Sequence, residues 1–275
     1  MIKHVLLTLL SHPAPTPGWA LAAADGLAVH LDAELDAVVA TIHIPDVSNA
    51  LARRLVGADA AIAAENQAIR AEADALSSRF AAVVGSSDPH RQKQVESCGF
   101  VDPNAVALHA RLFDLTLLPI FGHPDERWLI EGLLFGSGRP LLLLPKRTRV
   151  AWDHIVVAWD GSRAAARALA DALPLCRRAK AVEIITITGE KPLPPELSPV
   201  EVRHHLARHG IMANGVERPV EGEDVGADLL AHAVSRSADL LVMGGFGHSR
   251  LREFFLGGAT QSIIQKPTLP ILMSN

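Results

Sequence analysis

Apolar and polar residues follow one another in blocks that predict strands and helices in turn. In the second half, HIVVAW is a short apolar run typical of a buried strand, and SRAAARALADALPLCRRA has helical periodicity with Ser162 as its N-cap. Further segments continue the alternation: VEIITIT, VEVRHHLARHG, GVERPVEG, DVGADLLAHAVSRSA, DLLVMGG, SRLREFFLGGATQSIIQ and LPILMS. The order β-α-β-α-β-α-β-α-β predicts a parallel sheet covered by helices on both faces.

The two halves of the chain repeat one pattern. Three pairs of segments match in the same order: KHVLLTLLSH with DHIVVAWDGS, FDLTLLPIFGH with ADLLVMGGFGH, and RPLLLLPK with LPILMSN. We therefore predict two domains of one fold, residues 1–147 and 148–275, whose final strands meet. The opening apolar run is then a buried strand rather than a signal peptide. The first half also has an Ala-rich stretch, residues 49–80, that predicts a long helix.

Composition narrows the class of protein. The chain has 275 residues, 49% of them hydrophobic, and a formal net charge of -4 at pH 7. These values are ordinary for a globular protein, and we expect neither a nucleic acid nor a membrane as partner. Cys98 and Cys176 form no CxxC pair, so we predict no disulfide framework and expect a cytoplasmic protein.

Two glycine-containing polar segments follow strands of the second half. WDGS comes after the first strand and GGFGHS after the fourth. Ligands of open α/β sheets bind at the carboxyl ends of the strands. The Asp160 carboxylate could accept hydrogen bonds from a ribose or an amide, and the helix that begins at Ser162 attracts anions. Glycines also occur in plain turns and helix caps. Either loop alone could therefore be a turn or a ligand-binding loop.

The glycine spacing carries a family resemblance. GGFGHSRLREFFLGG resembles the nucleotide loop of the universal stress protein family, in which Gly-x2-Gly-x9-Gly precedes a Ser or Thr. Gly244, Gly247 and Gly257 match the glycines, and Gly258 stands in the Ser/Thr place. HIVVAWDGS resembles the first strand of the family with its Asp, here Asp160. Over essentially its whole length the chain resembles a tandem, UspA-like member.

The resemblance implies a fold and a function. The fold is two tandem Rossmann-like (adenine nucleotide alpha hydrolase-like) domains, each a five-stranded parallel sheet with helices on both faces. The domains would pair through their last strands as an intramolecular pseudo-dimer, and a homodimer stays open. The function is a regulatory stress-response protein that binds ATP, ADP or AMP, with or without Mg²⁺. The expected nucleotide-binding residues are Ala158, Trp159, Asp160, Gly161, Ser162, Thr188, Gly244, Gly247, His248, Ser249, Gly257, Gly258, Ala259 and Thr260.

The first half departs from this pattern. Leu10 stands where the second half has Asp160, and Pro119 where it has Gly244, although Gly122 and His123 persist. We predict that the first domain has lost the pocket and that the chain binds at most one nucleotide. In the second half Gly258 lacks the hydroxyl of the family pattern, although its N–H and Thr260 remain available.

Several alternatives remain. The sequence has no GxSxG, no Walker loop and no convincing carboxylate pair, so we expect no enzyme beyond a weak ATPase. A slow nucleotide hydrolase on the same pocket and a nucleotide-free scaffold stay open, whereas WDGS in place of GxGxxG disfavours a dehydrogenase. His205 and His209 have a spacing that could hold zinc, but a solvated helix face is the simpler interpretation. Trp159 could stack on a base or pack in the core, and His248 could neutralise phosphate or cap a turn.

Overall fold

The chain folds as an α/β protein with a mostly parallel sheet flanked by helices. The computed structural model describes residues 1–45, 58–146, 148–189, 193–220, 224–245, 263–264 and 267–275. It divides the chain into two compact units, Lys3–Ser137 and Met1–Ile2 with Gly138–Asn275. In the described part of the chain, no helix combines the length and the apolar character that a membrane crossing needs.

The unit Lys3–Ser137 is a four-stranded parallel sheet with its helices. Its elements are β1 (His4–Leu10), α1 (Gly18–Leu31), β2 (Glu34–His43), α2 (Ala58–Val84), β3 (Gln92–Cys98), α3 (Pro103–Ala110), β4 (Leu115–Ile120) and α4 (Glu126–Gly136). The strand order is β3-β2-β1-β4. Helix α2 confirms the predicted long helix from residue 58 onward, while residues 46–57 lie outside the described residues.

The second unit contains a five-stranded parallel sheet with one antiparallel strand at its edge. Its elements are β5 (Leu141–Pro145), β6 (His154–Ala158), α5 (Arg163–Cys176), β7 (Ala181–Thr188), α6 (Pro199–Arg208), β8 (Ala213–Pro219), α7 (Val225–Ser235), β9 (Leu240–Gly244) and β10 (Ile271–Ser274). The order is β5-β10-β9-β6-β7-β8. The predicted order of elements is confirmed, except that most of the segment 249–265 lies outside the described residues.

The antiparallel strand is β5, which the sequence repeat assigns to the first half. Leu141, Leu142 and Leu143 pair with residues 271–273 of β10 in antiparallel register. This pairing confirms that the two predicted final strands meet. It also draws β5 into the same compact unit as the second half, so the unit begins at Gly138. The domain boundary near residue 147 stays a prediction.

The central strands β1 and β6 are buried along all but their first residue. In β1 every residue after His4 is buried, and in β6 every residue after His154 is buried. Strands covered on both faces read as continuous apolar runs, which is the pattern the sequence shows. The edge strands β3 and β8 differ, because exposed and half-buried residues alternate along them. The core therefore lies on both faces of the inner strands.

One aspartate in each half makes the same contacts. Asp239 Oδ2 accepts hydrogen bonds at 3.0 Å from both backbone N–H groups of residues 153–154. Asp114 Oδ2 accepts from the N–H groups of residues 3–4 at 2.8 and 3.1 Å. Each aspartate thus joins the start of one strand to the start of its neighbour. The shared contact supports the repeat at the level of single atoms.

Candidate functional site: the turn after β6 and the end of β9

The turn between β6 and α5 is closed by its own polar side chains. Asp160 Oδ1 accepts a hydrogen bond from Ser162 N at 2.9 Å. Ser162 confirms its predicted role as N-cap, since its Oγ accepts from Ala165 N at 3.0 Å. Asp160 is exposed, so its carboxylate lies at the solvent side of the turn. An acidic side chain and a helix N-terminus are therefore held within two residues of each other.

Gly161 is required by the turn. Its φ of +71° lies in the left-handed region, which side chains rarely adopt. A Cβ at this position would also lie 2.7 Å from Leu193 Cδ2 and 3.3 Å from Leu197 Cδ1. The loop after β7 therefore covers the glycine directly. A glycine here could serve the turn or a ligand contact, and the positive φ shows that the turn itself requires it.

Trp159 points into the fold. Its side chain is buried, with 7% of the residue exposed, and its Nε1–H donates to the Leu197 carbonyl at 2.8 Å. Its own backbone carbonyl accepts from Thr186 Oγ1 at 3.0 Å. The sequence allowed the indole either to stack on a base or to pack in the core, and the structure describes it packed in the core. Ala158, the preceding residue, is also buried.

Gly244 brings the end of β9 against the start of α5. A Cβ on Gly244 would lie 2.5 Å from Ala165 N and 2.7 Å from Ala164 C, both backbone atoms. No side chain fits between the strand and the helix at this point. The next residue is anchored as well, because Gly245 N–H donates to the Ser274 carbonyl at 2.8 Å. The structure thus brings together WDGS and the beginning of GGFGHS, which the sequence placed at one edge of the sheet.

Thr188 ends β7, the strand beside β6. Its residue is half-buried, and its Oγ1 donates to the Arg218 carbonyl of β8 at 3.2 Å. It lies at the same carboxyl edge of the sheet as Asp160. The remaining predicted site residues lie outside the described residues: Gly247, His248, Ser249, Gly257, Gly258, Ala259 and Thr260. Their assignment stays a prediction.

The corresponding turn in the first half is closed differently. Leu10 is 1% exposed, so an apolar side chain fills the core where the second half has Asp160. The Leu10 N–H donates to Thr16 Oγ1 at 2.8 Å, and Thr16 N–H returns to the Leu10 carbonyl at 2.9 Å. The polar groups of this turn are satisfied within the chain.

Sequence reasoning missed Glu126. One oxygen of its carboxylate accepts hydrogen bonds from three consecutive backbone N–H groups, those of residues 121–123. In the sequence, Glu126 could have been noticed because it lies three residues after Phe-Gly-His, whereas Leu251 stands at the equivalent place in the second half. The spacing of the glycines does not indicate this carboxylate.

His204 and His205 on α6 are exposed, and His209, directly after the helix, is half-buried. The rings of His205 and His209 are 4.8 Å apart between centroids, and His204 Nδ1 lies 3.4 Å from Glu201 Oε1. Within the ranges that the structure describes, no group of three or more His, Cys, Asp or Glu side chains could hold a metal ion.

Fold, site and sequence can now be compared with those of known proteins. The parallel sheet with a polar strand-to-helix turn at its carboxyl edge defines a Rossmann-like α/β protein. The sequence profile of the universal stress protein family matches residues 151–275. The second half of the chain is therefore similar to that family.

Individual proteins are similar to this chain in sequence or in fold. Universal stress protein YxiE of Bacillus subtilis (strain 168) is 28% identical to a segment covering 44% of this chain and 98% of that protein. A universal stress protein from Archaeoglobus fulgidus DSM 4304 has the same fold, with a TM-score of 0.62 over 98% of this chain and 96% of that one, at 15% identity. A protein of unknown function from Pseudomonas aeruginosa PAO1 follows with a TM-score of 0.53, 16% identity, and coverage of 99% and 92%.

Proposed function

We propose that the chain is a regulatory stress-response protein that binds one adenine nucleotide in its second half. The observation that carries the proposal is the close approach at Gly244, where the end of β9 lies against the start of α5, the helix that follows the Asp160 turn. This places an exposed carboxylate, a capped helix N-terminus and the entrance of a glycine loop at one edge of the sheet. The match of residues 151–275 to the universal stress protein family adds support.

Each group has a separate role in this proposal. The Asp160 carboxylate accepts hydrogen bonds from the nucleoside, for which one of its oxygens is already oriented by Ser162 N. Thr188 lies at the end of the neighbouring strand and borders the nucleoside side. Gly244 and the predicted loop residues Gly247, His248 and Ser249 surround the phosphates. The second glycine pair and its neighbours, Gly257, Gly258, Ala259 and Thr260, complete the phosphate side.

The chemistry suits binding. Backbone N–H groups at a helix start and in a glycine loop attract phosphate without a bulky side chain. The proposed ligand is ATP, ADP or AMP, with or without Mg²⁺, and the proposed setting is the cytoplasm. Residues 1–147 act as a structural partner in an intramolecular pseudo-dimer. The antiparallel pairing of β5 with β10 supports the pseudo-dimer, because neighbouring strands related by a two-fold axis perpendicular to the sheet run antiparallel.

The first test identifies the ligand. Chromatography of the small molecules released by denaturing the purified protein should show an adenine nucleotide. Calorimetric titration of the ligand-free chain should then saturate near one nucleotide per chain. Asp160→Ala should lose most of the binding heat, because it removes the carboxylate and also loosens the turn at Ser162. Asp153→Ala is the matched control, since Asp153 is an exposed aspartate paired with Lys180 at the opposite end of β6.

The outcomes separate the alternatives. Phosphate release with Mg²⁺ that disappears in Asp160→Ala would make the protein a slow hydrolase. Two equivalent sites per chain would contradict the loss of the first pocket. A chain that binds no adenine nucleotide would instead be a scaffold that acts through protein contacts.

A further inference from the structure

The loop between β4 and α4 directs three backbone donors at one oxygen. Glu126 Oε1 accepts hydrogen bonds from Phe121 N at 2.6 Å, Gly122 N at 2.8 Å and His123 N at 2.9 Å. Successive N–H groups that point at one place form a concavity for an anion, and bonds to a charged acceptor are the stronger kind. The loop therefore has the form of an anion site, and the anion in it is part of the chain.

Contacts other than Glu126 hold this loop in shape. The His123 side chain is fully buried, and its Nε2 lies 2.9 Å from the His12 carbonyl. Its Nδ1 accepts a hydrogen bond from Asp125 N at 3.1 Å, which assigns the ring hydrogen to Nε2. Gly122 takes a φ of +91°, open to glycine and rarely to other residues. The three donors are thus kept in place by a buried side chain and a glycine.

The repeat places a different residue opposite Glu126. Phe121, Gly122 and His123 recur 125 positions later in residues 246–248 of the sequence, and the same offset leads from Glu126 to Leu251. A leucine side chain accepts no hydrogen bond. At this position of the sequence only the first half has a carboxylate, whereas the Phe-Gly-His sequence is common to both halves.

We propose that Glu126 is a built-in anion that closes the first-half loop against phosphate. Its carboxylate satisfies the donors that would otherwise attract a phosphate or sulfate group, so the loop is autoinhibited by its own chain. The contacts all lie within the unit Lys3–Ser137. The inference stands independently of nucleotide binding by the second half, and its test uses inorganic sulfate rather than a nucleotide.

The test is rescue of a variant by sulfate. In the full chain, Glu126→Ala should lower the melting temperature in chloride buffer by about 3–10 °C, because three N–H groups lose a charged acceptor. Increasing the sulfate concentration at constant ionic strength should restore most of the lost melting temperature, because sulfate binds the three N–H groups that Glu126 no longer occupies. Wild type and Glu131→Ala, a change five residues further along α4, report the general effect of sulfate on stability. An anion bound elsewhere raises all three melting temperatures alike.

A second measurement locates the effect. Hydrogen exchange at the amides of residues 121–123 should speed up in Glu126→Ala and slow again in sulfate, while exchange in α2 stays unchanged. A sulfate gain for Glu126→Ala no larger than that of wild type overturns the proposal. If Glu126→Ala does not fold in either buffer, Glu126→Leu carries the test, since leucine stands at the matching place of the second half and accepts no hydrogen bond. Exchange at 121–123 in Glu126→Leu that is as slow as in wild type also overturns the proposal.

Discussion

At the scale of single residues, the contact between Gly244 and α5 is the tightest in the candidate site. Gly244→Ala should destabilise the fold by about 1–3 kcal/mol, because the new Cβ would overlap the backbone of residues 164–165 and α5 must shift. The same shift moves the Asp160 turn, so nucleotide affinity should fall together with stability. Denaturant unfolding and calorimetric titration measure the two effects. Gly18→Ala, where a Cβ would meet nothing within 4 Å, is the control.

The two cysteines should differ in reactivity. Burial raises the pKa of the Cys176 thiol to about 12, so this thiol stays protonated at neutral pH, whereas Cys98 is exposed on an edge strand. Iodoacetamide at pH 8 should modify Cys98 in the native chain and Cys176 only after denaturation, as mass spectrometry of tryptic peptides would show. Because the folded state raises this pKa, the thiol's contribution to stability should be present at neutral pH and decline as the pH rises from about 9 toward 12. Equal labelling of both thiols in the native chain would contradict the assignment.

At the scale of elements, a buried ionic network joins α7 to β7. Glu183 on β7 is 2% exposed; one of its oxygens contacts His232 Nε2 on α7, and the other lies 3.2 Å from Arg236. Glu183→Ala should cost about 1–3 kcal/mol, since it leaves the buried Nε2–H of His232 without its acceptor, while the Arg236 side chain is half exposed. Thermal or urea unfolding measures this loss. Glu131→Ala breaks an accessible i,i+4 pair with Arg127 and should change stability by about 0.5 kcal/mol or less. Similar costs for the two changes would mean that the network does not stabilise the α7–β7 contact.

At the scale of the whole molecule, β5 completes the sheet of the second half. A fragment of residues 138–275 keeps the pair of β5 with β10, whereas one of residues 148–275 leaves the apolar edge of β10 uncovered. Unpaired apolar edge strands associate with other chains. The shorter fragment should therefore unfold at a lower temperature and form dimers or larger species, as light scattering would detect. A monomeric 148–275 fragment as stable as the longer one would show that β5 is dispensable.

The strands and helices of the second half that the structure describes could be predicted from local sequence patterns. Apolar runs and helical periodicity located the strands and helices from β6 to β9, and Ser162 marked the start of α5 because an N-cap acts within three residues. The repeat of Phe-Gly-His and of the Asp before each fourth strand predicted two related halves. Family resemblance then indicated the place where we propose that a ligand binds. All of this rests on patterns within short stretches of chain.

The tertiary structure decided what depends on distant residues. The antiparallel pairing of β5 with β10 joins segments about 130 positions apart, and no local pattern records the direction of such a pair. Gly244 could have been a plain turn glycine, and only the packing of α5 shows that a side chain would not fit. Trp159 could have faced a base, yet a carbonyl 38 residues away holds its indole inside the fold. In the sequence, Glu126 is an ordinary acidic residue in the first turn of a helix. In the structure, its carboxylate accepts hydrogen bonds from three backbone N–H groups of a loop that buried His123 and Gly122 hold in place.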